Sequence, residues 1–149
     1  MIIRIPGKAF ELSGATQADT RYCYTLSERT AAQYSNDKRT YQKFAAEFHP
    51  SDAYIVRYRG RRIGYLEFQE KEDGWYLWDI HLSRNYQRQG LGAKLLEFVH
   101  KEVVKKGGSE ITLFAYAKNP AIRLYKRFGY LVTKRILKDH RVRMMKHLR

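Results

Sequence analysis

A strand-to-helix transition near the middle of the chain limits the folds open to it more than any other feature of the sequence. The segment from Trp75 to Leu82 is rich in aromatic and β-branched residues, which predicts a strand. A turn with two glycines follows from Gln87 to Gly92. Apolar residues then recur at helical spacing on one face, at Leu95, Leu96, Val99 and Val103. The chain therefore combines strands and helices in one fold.

The rest of the pattern predicts an α/β (α+β) domain with a mixed, mostly antiparallel sheet flanked by helices. Two helices, the second capped by Asn36 and Asp37, precede a change to strand spacing at residue 53. The predicted strands are 2–5, 53–58, 62–69, 75–82, 111–117, 130–137 and 141–145. The predicted helices are 18–34, one that follows the Asn36-Asp37 cap and stops at His49-Pro50, one between Gly92 and Gly107, and 120–128. No repeat or low-complexity linker interrupts them, so we expect one domain over residues 1–149.

The composition favours a folded protein over a disordered or membrane-spanning one. The chain has 149 residues, and 44% of them are hydrophobic, which is enough for a sizeable core. No apolar run approaches the roughly 18 residues that span a bilayer, so we expect no membrane partner. The single cysteine, Cys23, cannot form an internal disulfide, and this favours a reducing compartment. We therefore expect a cytoplasmic protein.

The positive charge is large and unevenly distributed. The formal net charge is +14, and residues 76–149 hold 17 basic and 5 acidic side chains. Such an excess attracts phosphate groups, whether those of a nucleotide cofactor, of a nucleic acid or of an anionic surface. A surface that is charged only for solubility has the same composition.

The glycine turn has the properties of an anion-binding site. The first turn of a helix carries unpaired N–H groups and the positive end of the helix dipole. Gly90 and Gly92 would let a phosphate approach without a Cβ in the way. The turn is not a Walker A loop, because no Gly-Lys-Ser/Thr follows, and Leu95 stands where a dinucleotide fingerprint has its third glycine. The alternative is an ordinary glycine-rich entry into a helix.

Two motifs resemble those of the GNAT superfamily of N-acetyltransferases. Residues 82–96 are similar to its acyl-coenzyme A motif, Gln/Arg-x-x-Gly-x-Gly/Ala, here Gln87, Gly90 and Gly92. Residues 121–130, AIRLYKRFGY, are similar to the late helix of the family, A-I-x-L-Y-x-x-x-G-F. Both occur in the family's order with a predicted strand between them. The resemblance implies a GNAT-like single domain whose strands splay apart at the acyl-CoA site.

The resemblance also implies where acetyl-CoA would lie. Family members bind its pyrophosphate on main-chain N–H groups of the loop and its pantetheine arm on the preceding strand. The corresponding positions are Ile80, Leu82, Gln87, Arg88, Gln89, Gly90, Leu91, Gly92 and Ala93. Main-chain groups left unpaired where two parallel strands separate suit an amide-bearing arm. A main-chain N–H on that strand would also polarise the acetyl carbonyl.

Tyr125 matches the family tyrosine that protonates the departing thiolate of coenzyme A. A phenol, with a pKa of about 10, can donate a proton to a sulfur of similar basicity, and the alternative is a packing role for the ring. Asn119 is the candidate for a further cofactor contact. In most relatives this asparagine lies seven residues before the tyrosine, and here Lys118 holds that position, so either residue could face the cofactor.

The general base is not evident from the sequence. Many relatives carry Glu or His on the strand before the loop, where this chain has Tyr76 and Trp78. Asp79 and His81 have the opposite strand parity to Trp78, so we expect them to face away. Glu67 on the neighbouring strand is the best carboxylate candidate, with a solvated strand residue as the alternative. A water relayed to main-chain carbonyls would also serve.

Nothing in the sequence indicates a metal site or a covalent mechanism. The five histidines lack the spacing of metal ligands, and Cys23 has no second thiol to pair with. Direct attack by the acceptor within a ternary complex needs no protein nucleophile. We expect no metal.

The leading prediction is an N-acetyltransferase that moves an acetyl group from acetyl-CoA to a primary amine. The alternative is a nucleic-acid-binding protein, in which Tyr54, Tyr58 and Tyr65 of a predicted hairpin stack on bases. The cations in this alternative are the interleaved Arg57, Arg59, Arg61 and Arg62, together with the basic tail from Lys134 to Arg149. A hairpin with one buried face gives the same alternation. An acetyltransferase acting on an RNA-borne amine such as aminoacyl-tRNA would combine the two, and the basic C-terminal half would suit an anionic acceptor.

Overall fold

The computed structural model describes all 149 residues and contains eight strands and four helices. The strands are β1 (Ile2–Ile5), β2 (Lys8–Gly14), β3 (Ala53–Tyr58), β4 (Arg61–Lys71), β5 (Gly74–Leu82), β6 (Glu110–Tyr116), β7 (Leu131–Ile136) and β8 (Arg141–His147). The helices are α1 (Thr20–Ala31), α2 (Tyr41–Glu47), α3 (Leu91–Lys105) and α4 (Ala121–Arg127). The strands form one mostly antiparallel sheet in the order β1-β2-β3-β4-β5-β6-β8-β7, which confirms the predicted fold class. None of the four helices has both the length and the apolar character needed to cross a membrane.

The chain divides into two compact units, the first made of Met1–Glu67 and Asp79–Leu95. In this first unit β2 pairs with β1 and β3, and β3 pairs with β4, all antiparallel. Arg59 and Gly60 have φ values of 51° and 80°, the positive values that a two-residue hairpin turn needs, so the predicted hairpin is confirmed. The apolar core joins both helices to the sheet through Cys23, Leu26, Phe44, Phe48, Ala53, Ile55 and Tyr65.

The second unit is made of Phe68–Trp78 and Leu96–Arg149. Its β6 pairs with β8 along its whole length, antiparallel. The parallel pairing of β6 with β5 joins only Trp75–Leu77 to Ile111–Leu113, which is short for strands of this length and is expected for strands that splay apart. One face of these strands is buried together with α3, through Trp75, Leu77, Val99, Val103, Ile111, Leu113, Val142 and Met144.

Strand β2 is the element that the sequence pattern does not predict. Its buried apolar residues are only Phe10 and Leu12, with 1% and 3% of their surface exposed. The turn before it is a tight one at Gly7, whose φ is 78°. Two alternating apolar residues are too few to distinguish a strand from an irregular segment, so the pairing with β1 and β3 decides the conformation here.

The ends of the first two helices also differ from the predicted ones. α1 ends at Ala31 rather than at residue 34. α2 is capped by Thr40, whose Oγ1 accepts the Lys43 N–H at 3.2 Å, so the prediction that Asn36 and Asp37 cap it is wrong. Thr40 directly precedes the first residue of α2, and a capping side chain has to lie there to reach the third N–H of the helix. Asn36 and Asp37 lie too far before the helix to do so.

Gly64 tests how closely β4 approaches the end of β5. A Cβ atom at Gly64 would lie 2.7 Å from His81 O and 2.7 Å from Leu82 Cδ2. We expect Gly64→Ala to lower the free energy of unfolding by about 1–3 kcal/mol, because this packed backbone cannot give way without strain. The matched control is Gly14→Ala, where a Cβ meets nothing within 4 Å. Equal urea midpoints for the two variants would contradict the close approach.

Candidate active site

The loop between β5 and α3 ends in left-handed backbone. Arg88 has a φ of 60° and Gly90 a φ of 88°, a conformation that glycine adopts without strain. A Cβ atom on Gly90 would meet nothing within 4 Å, so the space beside this turn is open. The Lys94 N–H donates to Gly90 O at 3.3 Å and begins the helical hydrogen bonds. The N–H groups that precede this first bond belong to Leu91, Gly92 and Ala93.

This helix entry can bind a phosphate group. Three N–H groups without a partner in the helix meet the positive end of the dipole of a 15-residue helix. The exposed side chains of Arg84, Arg88 and Lys94 add positive charge in the same segment. The predicted anion site therefore has the local backbone geometry that it requires.

The β1–β2 hairpin contacts the loop between β5 and α3. The Lys8 ammonium donates to Gln89 Oε1 at 2.8 Å and lies 5.6 Å from the centre of the Tyr86 ring. The Tyr86 ring packs on Phe10 and Tyr58, with ring centres 6.0 and 5.7 Å away. The shape of the loop therefore depends on side chains that come from early in the chain. Sequence reasoning missed this contribution because it missed β2.

The two glutamines of the loop shape its main chain. The Gln87 side chain donates to Leu82 O at 2.9 Å, and the Gln87 N–H donates to Arg84 O at 3.2 Å. The Gln89 side chain donates to Asn85 O at 2.7 Å. These bonds turn the chain out of β5 and hold it in place. The cofactor contacts predicted for this part of the loop stay predictions.

The end of β5 is fixed against β4. Ile80 and Leu82 are half-buried there. The Ser83 N–H donates to Ile63 O at 2.8 Å, directly after the strand. The main chain that is predicted to meet the pantetheine arm is therefore held from one side by β4, and its contact with that arm stays a prediction.

Tyr125 lies in α4 and is buried, with 6% of its surface exposed. Its ring meets the ring of Tyr130 at a steep angle, with centres 5.7 Å apart. The Tyr130 hydroxyl oxygen lies 2.7 Å from His100 Nε2. Burial and the nearby Lys146 ammonium lower the pKa of His100 to about 4, and burial raises the pKa of Tyr130. This histidine and this tyrosine are therefore both uncharged at neutral pH.

Asn119 has a role at the start of the helix that carries Tyr125. Its Oδ1 accepts the Ala121 N–H at 2.9 Å, and its own N–H donates to Tyr116 O at 2.9 Å. Asn119 is half-buried and Lys118 is exposed. The cofactor contact of Asn119 stays a prediction.

Glu67 is buried within β4, with 4% of its surface exposed. Its Oε2 accepts the His49 N–H at 3.1 Å and lies 3.5 Å from His49 Nδ1. Burial, and then the negative charge of Asp79, raise the pKa of Glu67 to about 8. The alternative of a solvated strand residue is wrong, because β4 is buried on both faces over seven consecutive residues, 63–69.

Asp79 and His81 form a carboxyl cluster with Tyr65 and Glu67. The Tyr65 hydroxyl donates to Asp79 Oδ2 at 3.0 Å, and His81 Nε2 lies 3.4 Å from Asp79 Oδ1. The other ring nitrogen of His81, Nδ1, lies 2.6 Å from Thr30 Oγ1. Sequence reasoning missed this cluster, although the sequence contains a signal for it. Polar residues two apart on each of two consecutive predicted strands share a face of the sheet.

The family of the protein follows from a comparison of its sequence with protein-family models. The model described as the acetyltransferase (GNAT) family matches residues 19–130, well over half of the chain. The chain belongs to the GNAT family. The matched range includes the loop, the carboxyl cluster and α4, and it confirms the family predicted from the two motifs.

Known GNAT proteins resemble this chain in sequence and in fold. It is 31% identical over 110 residues to the [ribosomal protein bS18]-alanine N-acetyltransferase of Escherichia coli K12, covering 73% of this chain. The match spans 66% of that relative, just under two thirds of its length. The crystal structure of the Escherichia coli ribosomal-protein-S18-alanine N-acetyltransferase superposes with a TM-score of 0.75 at 22% identity, covering 93% of this chain and 94% of that one. The PaiA N-acetyltransferase of Thermoplasma acidophilum in complex with coenzyme A gives 0.75 at 19% identity, covering 93% and 98%.

Neither these matches nor the structure favour the nucleic-acid alternative based on the β3–β4 hairpin. Arg57 and Arg62 lie 3.9 and 3.0 Å from the carboxylate of the buried Asp19. Tyr65 is fully buried, and Tyr58 packs on Phe10, with ring centres 5.2 Å apart. The alternation of tyrosine and arginine is therefore that of a hairpin with a buried face.

The histidines do not converge with acidic side chains in the manner of a metal site. No three His, Cys, Asp or Glu side chains are grouped so that they could hold a metal ion. The expectation that this GNAT protein uses no metal stays a prediction.

The raised pKa of Glu67 predicts the pH dependence of stability. The folded protein holds this proton up to about pH 8, whereas the unfolded chain loses it near pH 4.5. Between these values the folded state binds more protons, so the contribution of Glu67 to stability is lost as the pH rises, at up to about 1.4 kcal/mol per pH unit. We expect Glu67→Gln to make the fall in unfolding free energy between pH 5 and 8 shallower.

The measurement is urea denaturation across this pH range. The matched control is Glu47→Gln, which removes a carboxyl exposed on α2 and should keep the wild-type slope. A Glu67→Gln slope equal to that of the wild type would show that Glu67 loses its proton at the same pH in both states.

Proposed function

We propose that the protein transfers an acetyl group from acetyl-CoA to a primary amine by direct attack in a ternary complex. The observation that carries this is the entry of α3, where three N–H groups precede the first helical bond beside the open space at Gly90. This geometry suits a pyrophosphate. Membership of the GNAT family and the likeness in fold to a coenzyme A complex support the same proposal.

We propose a protein amine as the acceptor, with an N-terminal α-amino group as the first candidate. The support comes from the Escherichia coli relative, whose name gives an alanine of a ribosomal protein as its substrate. An N-terminal amine has a pKa close to 8, so a modest shift in the site provides the neutral nucleophile. Cys23 is a free buried thiol, which is compatible with action in the cytoplasm.

The acceptor nitrogen has to lose two protons, and the leaving thiolate has to gain one. The ammonium of the acceptor loses the first proton to the base, and its nitrogen attacks the thioester carbonyl. The new C–N bond forms as the C–S bond breaks, the thiolate of coenzyme A takes a proton from the acid, and the nitrogen of the new amide gives up its second proton to the conjugate base of that acid. We propose Glu67 as the base, which acts in its deprotonated form, a minor form at neutral pH that becomes the major one above about pH 8, and Tyr125 as the acid.

Gly90 tests the phosphate site. Gly90→Glu and Gly90→Ala both place an L residue at a φ of 88°, so both carry the same backbone strain. Only the glutamate adds bulk and negative charge at the proposed pyrophosphate position. We expect Gly90→Glu to bind coenzyme A at least tenfold more weakly than Gly90→Ala in titration calorimetry. Equal affinities would remove this turn from the cofactor site.

The experiment that tests the reaction follows release of free thiol from acetyl-CoA in the presence of short peptides. A peptide with a free N-terminal amine should be acetylated, and its N-acetylated counterpart should not react. We expect Tyr125→Phe to lower kcat roughly 100-fold, the range that a general acid contributes, while the Kd of acetyl-CoA stays unchanged. A fully active Tyr125→Phe would assign the ring to packing. No acetyl transfer to any primary amine would contradict the proposed function.

A further inference from the structure

The face of the sheet opposite α3 in the second unit carries aromatic and basic side chains to which the proposed reaction assigns no role, and its Tyr76 and Trp78 stand where many relatives carry the base. We call it the aromatic face and define it as Tyr76, Trp78, Phe114, Arg141 and Arg143. Around these residues the strands β5, β6 and β8 alternate between buried side chains and side chains on this face, except that Thr112 of β6 is buried as well. Trp78 is 38% exposed, and the other four side chains are half-buried. An exposed tryptophan within an aromatic set is a feature of interaction surfaces.

The three rings of the aromatic face lie nearly parallel. Trp78 and Tyr76 have ring centres 5.0 Å apart and an angle of 8° between their planes. Tyr76 and Phe114 have centres 6.4 Å apart and an angle of 4°. The Lys71 ammonium lies 5.6 Å from the centre of the Trp78 ring, and the Arg141 guanidinium lies 5.6 Å from that of Phe114. Cations thus already lie over the first and last rings of a parallel stack.

Positive charge continues from the rings toward β7 and β8. Phe114 is paired across the strands with Arg143, and Arg143 with Lys134. Arg143 Nε donates to the neutral Thr133 hydroxyl at 2.9 Å, which orients the guanidinium without cancelling its charge. Residues 131–149 contain seven lysines and arginines and a single acidic side chain. The sheet therefore changes across its width from aromatic rings to cations.

We propose that the aromatic face binds single-stranded nucleic acid. Unpaired bases stack on aromatic side chains and on arginine planes, and every base has a face that can do so. A strand lying across the sheet would stack a base on Trp78 in place of the Lys71 ammonium and another on the Arg141 plane beside Phe114, and it would place its phosphates over β8 and β7. The phosphates lie on that side because residues 131–149 carry seven cations and a single acid, Asp139, which pairs with Arg141 at 3.1 Å.

The parallel rings favour a nucleic acid over an acidic peptide. An acidic peptide would be attracted by the cations of β7 and β8 but has no planar groups in series to match three parallel rings. A double helix offers phosphates but keeps its bases stacked inside, so it cannot extend the rings. Stacking does not involve the sugar, so ribose and deoxyribose strands should bind alike.

The test measures binding of fluorescein-labelled U12 and dT12 by anisotropy. We expect both strands to bind, and a 12-base-pair duplex to bind more weakly. Trp78→Ala should weaken binding about fivefold or more, since stacking of one base contributes that much, and Trp78→Phe should recover most of it. Arg143→Gln should reduce the slope of log affinity against log salt by about 0.7, the value for one phosphate contact. The matched control is Lys101→Gln on α3, which removes an exposed charge and should have little effect.

Intrinsic fluorescence gives a second readout that does not depend on a variant. The chain has two tryptophans, of which Trp75 is buried and Trp78 exposed. Stacking of a base on Trp78 should quench the emission of the wild type on addition of dT12. The proposal is overturned if neither strand binds, or if Lys101→Gln weakens binding as much as Trp78→Ala does. Equal affinity for the duplex, or for poly-glutamate of the same charge, would also overturn it by showing a purely electrostatic surface.

Discussion

The backbone between β5 and α3 has to leave a strand, turn and enter a helix within a few residues, and the candidate site depends on how it does so. Arg88 and Gly90 adopt left-handed conformations there. For an arginine this conformation is unfavourable, so tertiary contacts must hold it. They come from Lys8 and Tyr86, which tie the loop to the β1–β2 hairpin. The β1–β2 hairpin thus helps to hold the loop in the conformation that exposes the N–H groups at the start of α3.

The two units create different electrostatic surroundings for ionisable groups. In the first unit, burial and the charge of Asp79 keep a proton on Glu67 to about pH 8. In the second unit, burial and Lys146 keep His100 neutral beside Tyr130. An acyl transfer to an amine needs a base that is deprotonated in part of the molecules at the working pH and a hydroxyl that donates a proton. The candidates are Glu67 for the base and Tyr125 for the acid. A family motif identifies Tyr125, whereas Glu67 lies outside both motifs.

The sequence predicts most elements because their signals are local. The Gly90 turn, the apolar face of α3 and the Arg59–Gly60 hairpin each depend on a few neighbouring residues. Strand β2 has no such local signal, and only its pairing with β1 and β3 shows that it is a strand. The burial of Glu67 could not be predicted from the sequence either, because it depends on the elements that cover both faces of β4. Parity along β5 predicts only that Asp79 and His81 face away from Trp78, and the fold brings them to Tyr65 and Thr30 in the same cluster as Glu67.

Hydrogen exchange of the loop with and without coenzyme A tests the proposed cofactor site most directly. The pyrophosphate is proposed to bind main-chain N–H groups at the start of α3, which have no partner within the helix. Coenzyme A should slow exchange of the N–H groups of Leu91, Gly92 and Ala93 more than that of α1 or α2. Binding that protects other segments and leaves these three unchanged would contradict the assignment of the site.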